Sequence, residues 1–223
     1  KRIWWDESGE KIEAIYQNRF WNEIKYYTID PRTGKENMLY ASTGEARGAS
    51  QGAANFSAHF GGDGVLVSND FGKSWNRLGS FINDSPQRQD SLDLSWKILV
   101  DNQSSSTVLM LATPSGIFRS KNQGASWVNV HGSRQSNQNI DLVQTKSGVW
   151  YAAISTGIGN VSGLFRSVDG KSFNLVRTPA SNLGRGIIGL NYQNENSMFV
   201  LFESPNSGQK SEFLGRIGYH SLF

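Results

Sequence analysis

The sequence of 223 residues contains no cysteine and only five prolines. The lack of cysteine excludes disulfides, thiolate nucleophiles and cysteine-ligated metals. No run of about 18 apolar residues occurs, so the sequence predicts no membrane-spanning helix. Charged residues make up only 18%, and the 22 basic and 19 acidic side chains are interspersed. Because nucleic-acid binding requires a basic stripe, we expect no nucleic-acid partner.

Glycine and aromatic residues are plentiful where charge and proline are scarce. The chain has 24 glycines, 12% aromatic residues and 37% hydrophobic residues overall, and it lacks long stretches rich in Ala, Glu, Lys and Leu. This composition is typical of many short strands joined by tight turns and not of a helical bundle. The length is sufficient to bury a core. The composition therefore favours an all-β fold.

A short segment repeats three times along the chain. Each copy begins with an apolar run, enters a polar turn at a serine and closes on an aromatic residue. The serines are Ser68, Ser120 and Ser167, which are 52 and 47 residues apart. An internal repeat of this length is typical of architectures built from one recurring supersecondary unit.

The residues of the repeated turn have structural reasons to be there. An Asp or Asn side chain can accept hydrogen bonds from backbone N–H groups just ahead of it, and glycine adopts the positive φ of a tight turn. The closing aromatic ring can be buried against the sheet. We interpret these residues as structural and expect no metal; the alternative is that the acidic side chains bind calcium or act in catalysis. The turn residues are Ser68, Asp70, Gly72 and Trp75; Ser120, Asn122, Gly124 and Trp127; and Ser167, Asp169, Gly170 and Phe173.

Apolar runs also recur upstream of each turn. Every unit contains strand A, a short turn, strand B, a variable loop, strand C, the repeated turn and strand D. Four antiparallel strands in about fifty residues predict the blade of a β-propeller. About four blades fit into the chain.

The segment Ser68–Trp75 carries the pattern Ser-x-Asp-x-Gly-x-x-Trp and is identified as an Asp-box of the BNR-repeat propellers. These include sialidases, sortilin-like receptors and two-propeller xyloglucanases. The second copy has Asn122 in place of the acid, and the third lacks one residue and ends in Phe173. Residues 29–45 resemble sortilin-like and xyloglucanase-like bacterial propellers. The resemblance covers roughly residues 25–220 and implies a propeller fold.

The propellers of this family usually close with six or more blades. We therefore expect residues 25–223 to form a partial β-propeller from a larger polypeptide, with its last strand C at Phe213–Ile217. Residues 1–24 form a separate lead-in segment, predicted as a short helix or an edge segment. Its helix-like spacing lies in Ile12, Ile15, Tyr16, Arg19 and Phe20.

The connection from Thr43 to Gly62 is far longer than a turn between strands B and C requires. It lies at the end of the blade opposite the repeated turns, because successive strands alternate in direction. Long loops of this kind often carry function. The alternative is a loop that packs on itself or on a further domain. Its candidate binding residues are Glu45, Arg47, Phe56, His59 and Phe60.

No set of catalytic residues can be named. A sialidase needs three arginines around a carboxylate, and a xyloglucanase-like enzyme needs two opposed aspartates on two propellers. The histidines His59, His131 and His220 show no metal-ligand spacing. We expect no cofactor, and we predict a non-catalytic binding module. The alternative is a xyloglucanase-like or sialidase-like glycoside hydrolase with an incomplete active site.

The resemblance to sortilin-like bacterial propellers also implies a location. Such propellers are parts of exported multidomain proteins that are secreted, lie on the cell surface or associate with the outer membrane. Type IX secretion is one of their export routes. The implied partners are a protein or a glycan, together with further blades or domains of the same polypeptide.

Overall fold

The fold is all-β. The computed structural model describes residues 3–5, 12–14, 24–29, 38–48, 58–60, 62–78, 93–132, 139–155, 162–178, 183–191, 193–203 and 221–222. Within these ranges the regular structure consists of strands, with no helix. The described part of the chain consequently has no helix that could span a membrane.

The described residues of the lead-in segment form a small antiparallel sheet. Strand β1 (Ile3–Trp5) pairs with β2 (Ile12–Ala14), and Trp4 lies opposite Glu13. Pairing between two extended segments takes the place of the predicted helix at Ile12–Ala14, so the edge-segment alternative applies there. The other residues on which the helix prediction rested, at 15–20, lie outside the described ones.

The first blade is a four-stranded antiparallel sheet with an inserted hairpin. Its strands follow the order β3-β4-β7-β8. Between β4 and β7 the chain forms the hairpin β5-β6, which is a separate two-stranded sheet. The strands are β3 (Ile24–Ile29), β4 (Leu39–Thr43), β5 (Glu45–Gly48), β6 (Ala58–Phe60), β7 (Val65–Ser68) and β8 (Asn76–Arg77).

The second and third blades repeat the four-stranded sheet without an inserted hairpin among their described residues. Each has its strands in sequence order across the sheet. The second blade contains β9 (Lys97–Val100), β10 (Leu109–Thr113), β11 (Gly116–Ser120) and β12 (Val128–His131). The third contains β13 (Ile140–Gln144), β14 (Trp150–Ile154), β15 (Gly163–Ser167) and β16 (Asn174–Arg177).

The fourth blade has three described strands: β17 (Gly186–Leu190), β18 (Met198–Phe202) and β19 (Ser221–Leu222). Strand β18 lies in the middle of this sheet. The strand that pairs with β18 on its second edge is therefore at 221–222. The segment Phe213–Ile217, where we predicted strand C, lies outside the described residues.

Strand B carries the core in the first three blades. All five residues of β4 and all five of β10 are buried, and in β14 only Tyr151 is partly exposed. These strands read as continuous apolar runs, which is typical of strands covered on both faces. Strand D is the opposite case: all four residues of β16 are exposed. In the first three blades burial thus falls from strand B to strand D.

Contacts divide the chain into two compact units, and the division runs through the second blade. The first unit comprises Lys1–Val100, Ser104–Leu111 and Ser120–Trp127, and the second comprises Asp101–Gln103, Ala112–Arg119 and Val128–Phe223. Within the first unit, β3 and β4 both contact β9. Ser95, just before β9, is hydrogen-bonded to the end of β4. Its N–H and its hydroxyl both donate to the carbonyl of Thr43, at 3.3 and 3.0 Å.

Within the second unit, short turns between strands A and B hold neighbouring blades together. The Asn102 side-chain amide donates to the carbonyl of Thr145 at 2.9 Å, and the Gln103 amide donates to that of Lys146 at 2.8 Å. In the next pair of blades, the Ser147 N–H donates to the Glu195 carboxylate at 3.1 and 3.2 Å. The same type of turn thus links two successive pairs of blades.

Aromatic packing joins strand D of the second blade to the third blade. The centroid of the His131 ring lies 4.7 Å from that of the Phe165 ring in a tilted arrangement and 6.0 Å from that of the Phe173 ring in an edge-on arrangement. Burial in these apolar surroundings lowers the pKa of His131 below its usual value of 6.5. The neutral imidazole therefore takes part in this contact.

A hydrophobic cluster packs the third blade on the fourth. From the third blade it contains Val143 and Ala153, with Tyr151 and Leu164 packed against it. Alternation along β17 and β18 points the cluster's residues to one face and leaves the intervening residues on the other. The fourth blade contributes Leu183, Ile188, Val200 and Phe202 to the cluster, with Leu190 and Met198 packed beside them.

Replacing a phenylalanine of β18 by alanine should lower the free energy of unfolding by very different amounts on the two faces of the strand. Phe202 is 1% exposed and Phe199 is 65% exposed on the same strand. Phe202→Ala should lower the free energy of unfolding by about 3–5 kcal/mol, because it leaves a cavity in the cluster. Phe199→Ala should cost less than about 1 kcal/mol, as surface substitutions do. Denaturant unfolding measures both variants; equal costs would mean that the register of β18 is shifted by one residue.

Candidate functional site

The long connection of the first blade contains a hairpin with a clamped base. Thr43 ends β4, and its hydroxyl donates to the carbonyl of Gly64 at 2.8 Å while accepting the Asp63 N–H at 2.8 Å. The Thr43 N–H donates to the same Gly64 carbonyl at 3.0 Å. One threonine therefore joins the two ends of the insertion, and the chain leaves and re-enters the sheet at a fixed point.

Two glycines allow the two legs of the insertion to pass close together. A Cβ at Gly62 would lie 2.5 Å from the backbone N of Gly44 and 2.6 Å from the carbonyl O of Asp93. A Cβ at Gly44 would lie 2.8 Å from the same Asp93 oxygen, and Gly44 has a φ of +88°. Side chains at these two positions would separate the legs. We call Thr43, Gly44, Gly62 and Asp93 the neck of the insertion.

An ion pair supports the neck from the side. The Arg77 guanidinium lies 3.7 Å from the Asp93 carboxylate, which is 8% exposed. Arg77 ends β8, whereas Asp93 precedes β9, so this pair bridges two elements of the first compact unit. Sequence analysis did not single out Arg77 or Asp93, because nothing in the pattern of either segment indicates that they meet.

The candidate binding residues of the insertion fall into two groups. Glu45 and Arg47 lie on β5, and His59 and Phe60 lie on β6. Glu45 is opposite Phe60 in the register, with an irregularity before Gly48 pairs with Ala58. Strand pairing thus brings four of the five predicted residues into one hairpin, where we predicted a loop. Phe56 lies outside the described residues.

The first repeated turn is held by hydrogen bonds between its own residues. The Ser68 hydroxyl donates to Asp70 Oδ1 at 2.8 Å and accepts the Gly72 N–H at 2.7 Å. Asp70 Oδ1 also accepts the Ser74 N–H at 2.8 Å, and Asp70 Oδ2 accepts the Ser74 hydroxyl at 2.6 Å. The Trp75 indole N–H donates to the Gly72 carbonyl at 3.1 Å.

The second turn makes the same contacts with an amide in place of the acid. Asn122 Oδ1 accepts the Ser120 hydroxyl and the Ser126 N–H, both at 2.9 Å. The Asn122 Nδ2 donates to the Ser126 hydroxyl at 2.9 Å, and the Gly124 N–H donates to Ser120 at 2.8 Å. Negative charge is therefore not required for this geometry.

The third turn is one residue shorter and keeps the serine and acid contacts. The Ser167 hydroxyl donates to Asp169 Oδ1 at 3.2 Å and accepts the Gly170 N–H at 2.9 Å. The residue that it lacks corresponds to Phe71 and Gln123, which have φ values of 59° and 58°. A left-handed conformation is costly for these residue types. The deletion consequently removes a strained position from the turn.

The glycine and the closing aromatic residue of the turns also pack against the sheet. A Cβ on Gly170 would lie 3.2 Å from the Trp150 indole nitrogen, and one on Gly124 would lie 2.4 Å from a methyl group of Leu78. Of the three closing aromatic residues, Phe173 is buried, whereas Trp75 and Trp127 are half-buried.

Hydrogen bonds within the turns favour the ionised acids. The Ser74 hydroxyl, followed by the Ser74 N–H, lowers the pKa of Asp70 from 3.8 to about 2. The Lys171 N–H is the main cause of the lowered pKa of Asp169. Within the described parts of the chain, no three His, Asp or Glu side chains gather where they could hold a metal ion.

The first repeated turn and the hairpin lie at opposite ends of the sheet of the first blade. Strands β4 and β7 are antiparallel, the hairpin follows β4, and the first turn follows β7. A ligand held by the hairpin would therefore not touch the turn of the same blade. The two features can be tested independently by substitution.

Substitution of Asp70 separates the turn's geometry from its charge. Asp70→Asn should preserve most of the stability at pH 7, because Asn122 makes the same contacts in the second turn. Asp70→Ala should lower the melting temperature further, since it removes both oxygens that accept hydrogen bonds from Ser68 and Ser74. A folded-state pKa below the unfolded value contributes stability that is present above pH 3.8 and is lost as the pH falls towards 2.

Thermal melts of parent and Asn variant between pH 2 and pH 5 measure this contribution. The parent's excess stability over Asp70→Asn should shrink as the pH falls through this range. A constant difference between the two proteins would show that the carboxylate's charge does not contribute to the turn.

Comparisons with known proteins establish the fold. No protein-family model matches the chain, and no curated protein matches it in sequence. Among solved structures it is similar to a GH74 enzyme from Niastella koreensis, with a TM-score of 0.56 and 14% identity over 89% of this chain and 36% of that one. It is also similar to the GH74 xyloglucanase from Xanthomonas campestris, with a TM-score of 0.51 and 22% identity over 81% and 27%.

An ancestral GH74 enzyme has a TM-score of 0.56 and 16% identity, over 91% of this chain and 27% of that one. The chain thus spans about a quarter to a third of the length of the structures it resembles. At these identities the likeness establishes the fold and no activity. The four-stranded antiparallel sheets of this chain are the blades of an incomplete β-propeller.

Proposed function

We propose that the chain is a non-catalytic binding module within a larger β-propeller, and that the inserted hairpin of the first blade is its binding element. The observation that carries this proposal is the neck. A turn between strands needs only a few residues, as in the second blade, where β10 and β11 are separated by two residues. The first blade instead attaches a hairpin at a clamped base, and a fixed attachment point lowers the entropic cost of binding.

The described carboxylates near the ends of strands A and B support a binding role over catalysis. Asp141 accepts the Ile188 N–H at 2.8 Å, and Glu203 accepts the Arg185 N–H at 3.3 Å. Asp93 pairs with Arg77 in the neck. A glycosidase needs carboxylates that are free to face the substrate. These three side chains are instead engaged by donors of the chain itself.

The repeated turns are structural Asp-boxes in this proposal. Their serine hydroxyls are buried, and each accepts one glycine N–H and donates to the acid or amide. A serine hydroxyl that already donates and accepts hydrogen bonds within the turn is poorly suited to bind a ligand. The Asp-boxes link the chain to the BNR-repeat and sortilin-like propellers.

That link supports a protein or a glycan as the partner and an exported bacterial protein as the parent. The parent would be secreted, lie on the cell surface or associate with the outer membrane, and type IX secretion would be one route. The interspersed charges of the chain favour partners other than nucleic acid.

A xyloglucanase-like glycoside hydrolase is the second candidate. The likeness to GH74 enzymes covers 81–91% of this chain and favours it. Because the chain spans only 27–36% of those structures, the opposed carboxylates of such an enzyme would have to be completed by further polypeptide. The sialidase-like alternative is a prediction from the sequence.

Removing the hairpin tests the proposal. In the first variant, residues 45–60, which include both β5 and β6, are replaced by Asn-Gly, which closes two antiparallel strands as a tight turn. The control replaces residues 156–161 of the third blade by Gly-Gly and leaves the neck untouched. The full-length parent is assayed on a glycan array that includes xyloglucan and by cross-linking on its source cells. Reducing-end release from xyloglucan is measured in parallel.

We expect the hairpin variant to lose at least about tenfold in partner binding, since each 1.4 kcal/mol of lost contact is tenfold in affinity. The control should bind as the parent does, and neither protein should release reducing ends. Unchanged binding by the hairpin variant would contradict the role of the hairpin. Release of reducing ends by the parent would favour the glycoside hydrolase.

A further inference from the structure

The last strand of the third blade has an open edge. Strand β16 lies at the end of its sheet, with β15 on one side, and none of the described strands pairs with its other side. All four of its residues are exposed. In the second blade the corresponding strand β12 is half-buried at its end, where His131 packs on Phe165 and Phe173. The third blade therefore presents the more accessible edge strand.

The side chains at this edge are sorted by chemistry. The register places Asn174 opposite Arg166, and it places Leu175 opposite the buried Phe165. The register then shifts by one residue, so Asn174 and Arg177 share the face of Arg166 although they are three residues apart. Leu175 lies on the other face and is 45% exposed. We call β16 together with Arg166 the open edge; one of its faces is basic and the other is apolar.

The charge around the open edge is positive. Across residues 147–184 of the sequence one acid, Asp169, stands against three basic residues: Arg166, Lys171 and Arg177. Asp169 Oδ1 accepts the Lys171 N–H at 2.9 Å within the third turn. Arg166 and Arg177 are exposed, and in the described part of the chain neither guanidinium forms an ion pair. Two guanidinium groups are thus available to pair with carboxylates of a ligand.

A shallow cleft beside β16 gives room for the side chains of a ligand. Its volume is about 270 Å³, and its lining combines apolar and polar side chains, among them Val168, Val176, Arg166, Asp169 and Ser172. Val168 is 68% exposed and Val176 is 54% exposed. An apolar side chain placed here would cover both valines, and burial of such surface is favourable.

We propose that the open edge binds an extended acidic peptide segment of a partner protein as a fifth strand of the third blade. This surface is separate from the hairpin of the proposed function and does not depend on it. The outward N–H and C=O groups of an edge strand are satisfied by another backbone at strand spacing. A segment that alternates acidic and apolar residues would direct carboxylates to Arg166 and Arg177 and apolar side chains to Leu175.

A second copy of the chain is a poorer occupant of the open edge. Pairing two copies of β16 would bring Arg166, Lys171 and Arg177 of one chain close to those of the other, and like charges destabilise strand pairing. A glycan lacks the row of alternating amide donors and acceptors that an edge strand pairs with. An acidic peptide satisfies both the backbone and the charge of this edge.

Fluorescence anisotropy with the full-length parent tests the open edge. The probe is a labelled hexapeptide of alternating glutamate and valine; one control peptide has lysine in place of glutamate, and another is N-methylated at every amide. The protein variant combines Arg166→Glu with Arg177→Glu. The matched control combines Lys73→Glu with Lys121→Glu, which reverses two exposed lysines of the other repeated turns and changes the net charge equally. Circular dichroism establishes the folding of each protein.

The parent should bind the glutamate peptide at least about tenfold more tightly than either control peptide, the ratio that 1.4 kcal/mol corresponds to. The arginine variant should lose at least about tenfold in affinity, because it replaces attraction by repulsion. The lysine control should bind as the parent does. So should the variant that lacks residues 45–60, which separates this surface from the hairpin.

Equal affinity for the glutamate and N-methylated peptides would overturn the addition of a strand. An equal loss in the arginine variant and the lysine control would overturn the location of the site. Loss of peptide binding in the variant without the hairpin would place the peptide on the hairpin and would also overturn the proposal. Sedimentation of the parent alone as a dimer that the arginine variant does not form would identify a second copy as the occupant instead.

Discussion

The structure depends on a packing constraint: a sheet whose central strand is apolar on both faces must be covered on both sides. Strands β4 and β10 are buried along their whole length, and β14 nearly so. A single blade cannot provide that cover, because its own strands lie in one layer. Each blade therefore needs its neighbours, and polar turns at the sheet ends add hydrogen bonds between them.

The sheet ends are then free to serve different purposes. At one end, the repeated turn connects strand C to strand D. Its serine, its acid or amide, and its glycine form hydrogen bonds with one another within the turn. At the other end, the connection between strands B and C varies from two residues in the second blade to a hairpin with a clamped neck in the first. Variation at one end and repetition at the other are consistent with a scaffold that carries a binding element.

The sequence predicted the blades well because turn chemistry and apolar runs are local signals. Serine, an acid or amide, and glycine at nearly constant spacing identified all three turns. The hairpin at Glu45–Phe60 escaped prediction since its Gly- and Ala-rich segment has no alternation of apolar and polar residues. The pair Arg77–Asp93 and the contact of Gly170 with Trp150 could not be predicted either, because each joins residues that are distant in sequence. At Ile12–Ala14, helical spacing was overridden by strand pairing.

Native-state hydrogen exchange tests the packing constraint most directly. Ala153 and Leu201 are central residues of their sheets, each with a partner on both sides, Asp141 and Leu164 for one and Ile187 and Leu222 for the other. They differ in that neighbouring blades bury Ala153, whereas Leu201 is 41% exposed. If cover by neighbouring blades stabilises each sheet, the amide of Ala153 should exchange only with global unfolding, and that of Leu201 should exchange through a lower-energy local opening. Equal protection at the two amides would contradict the account.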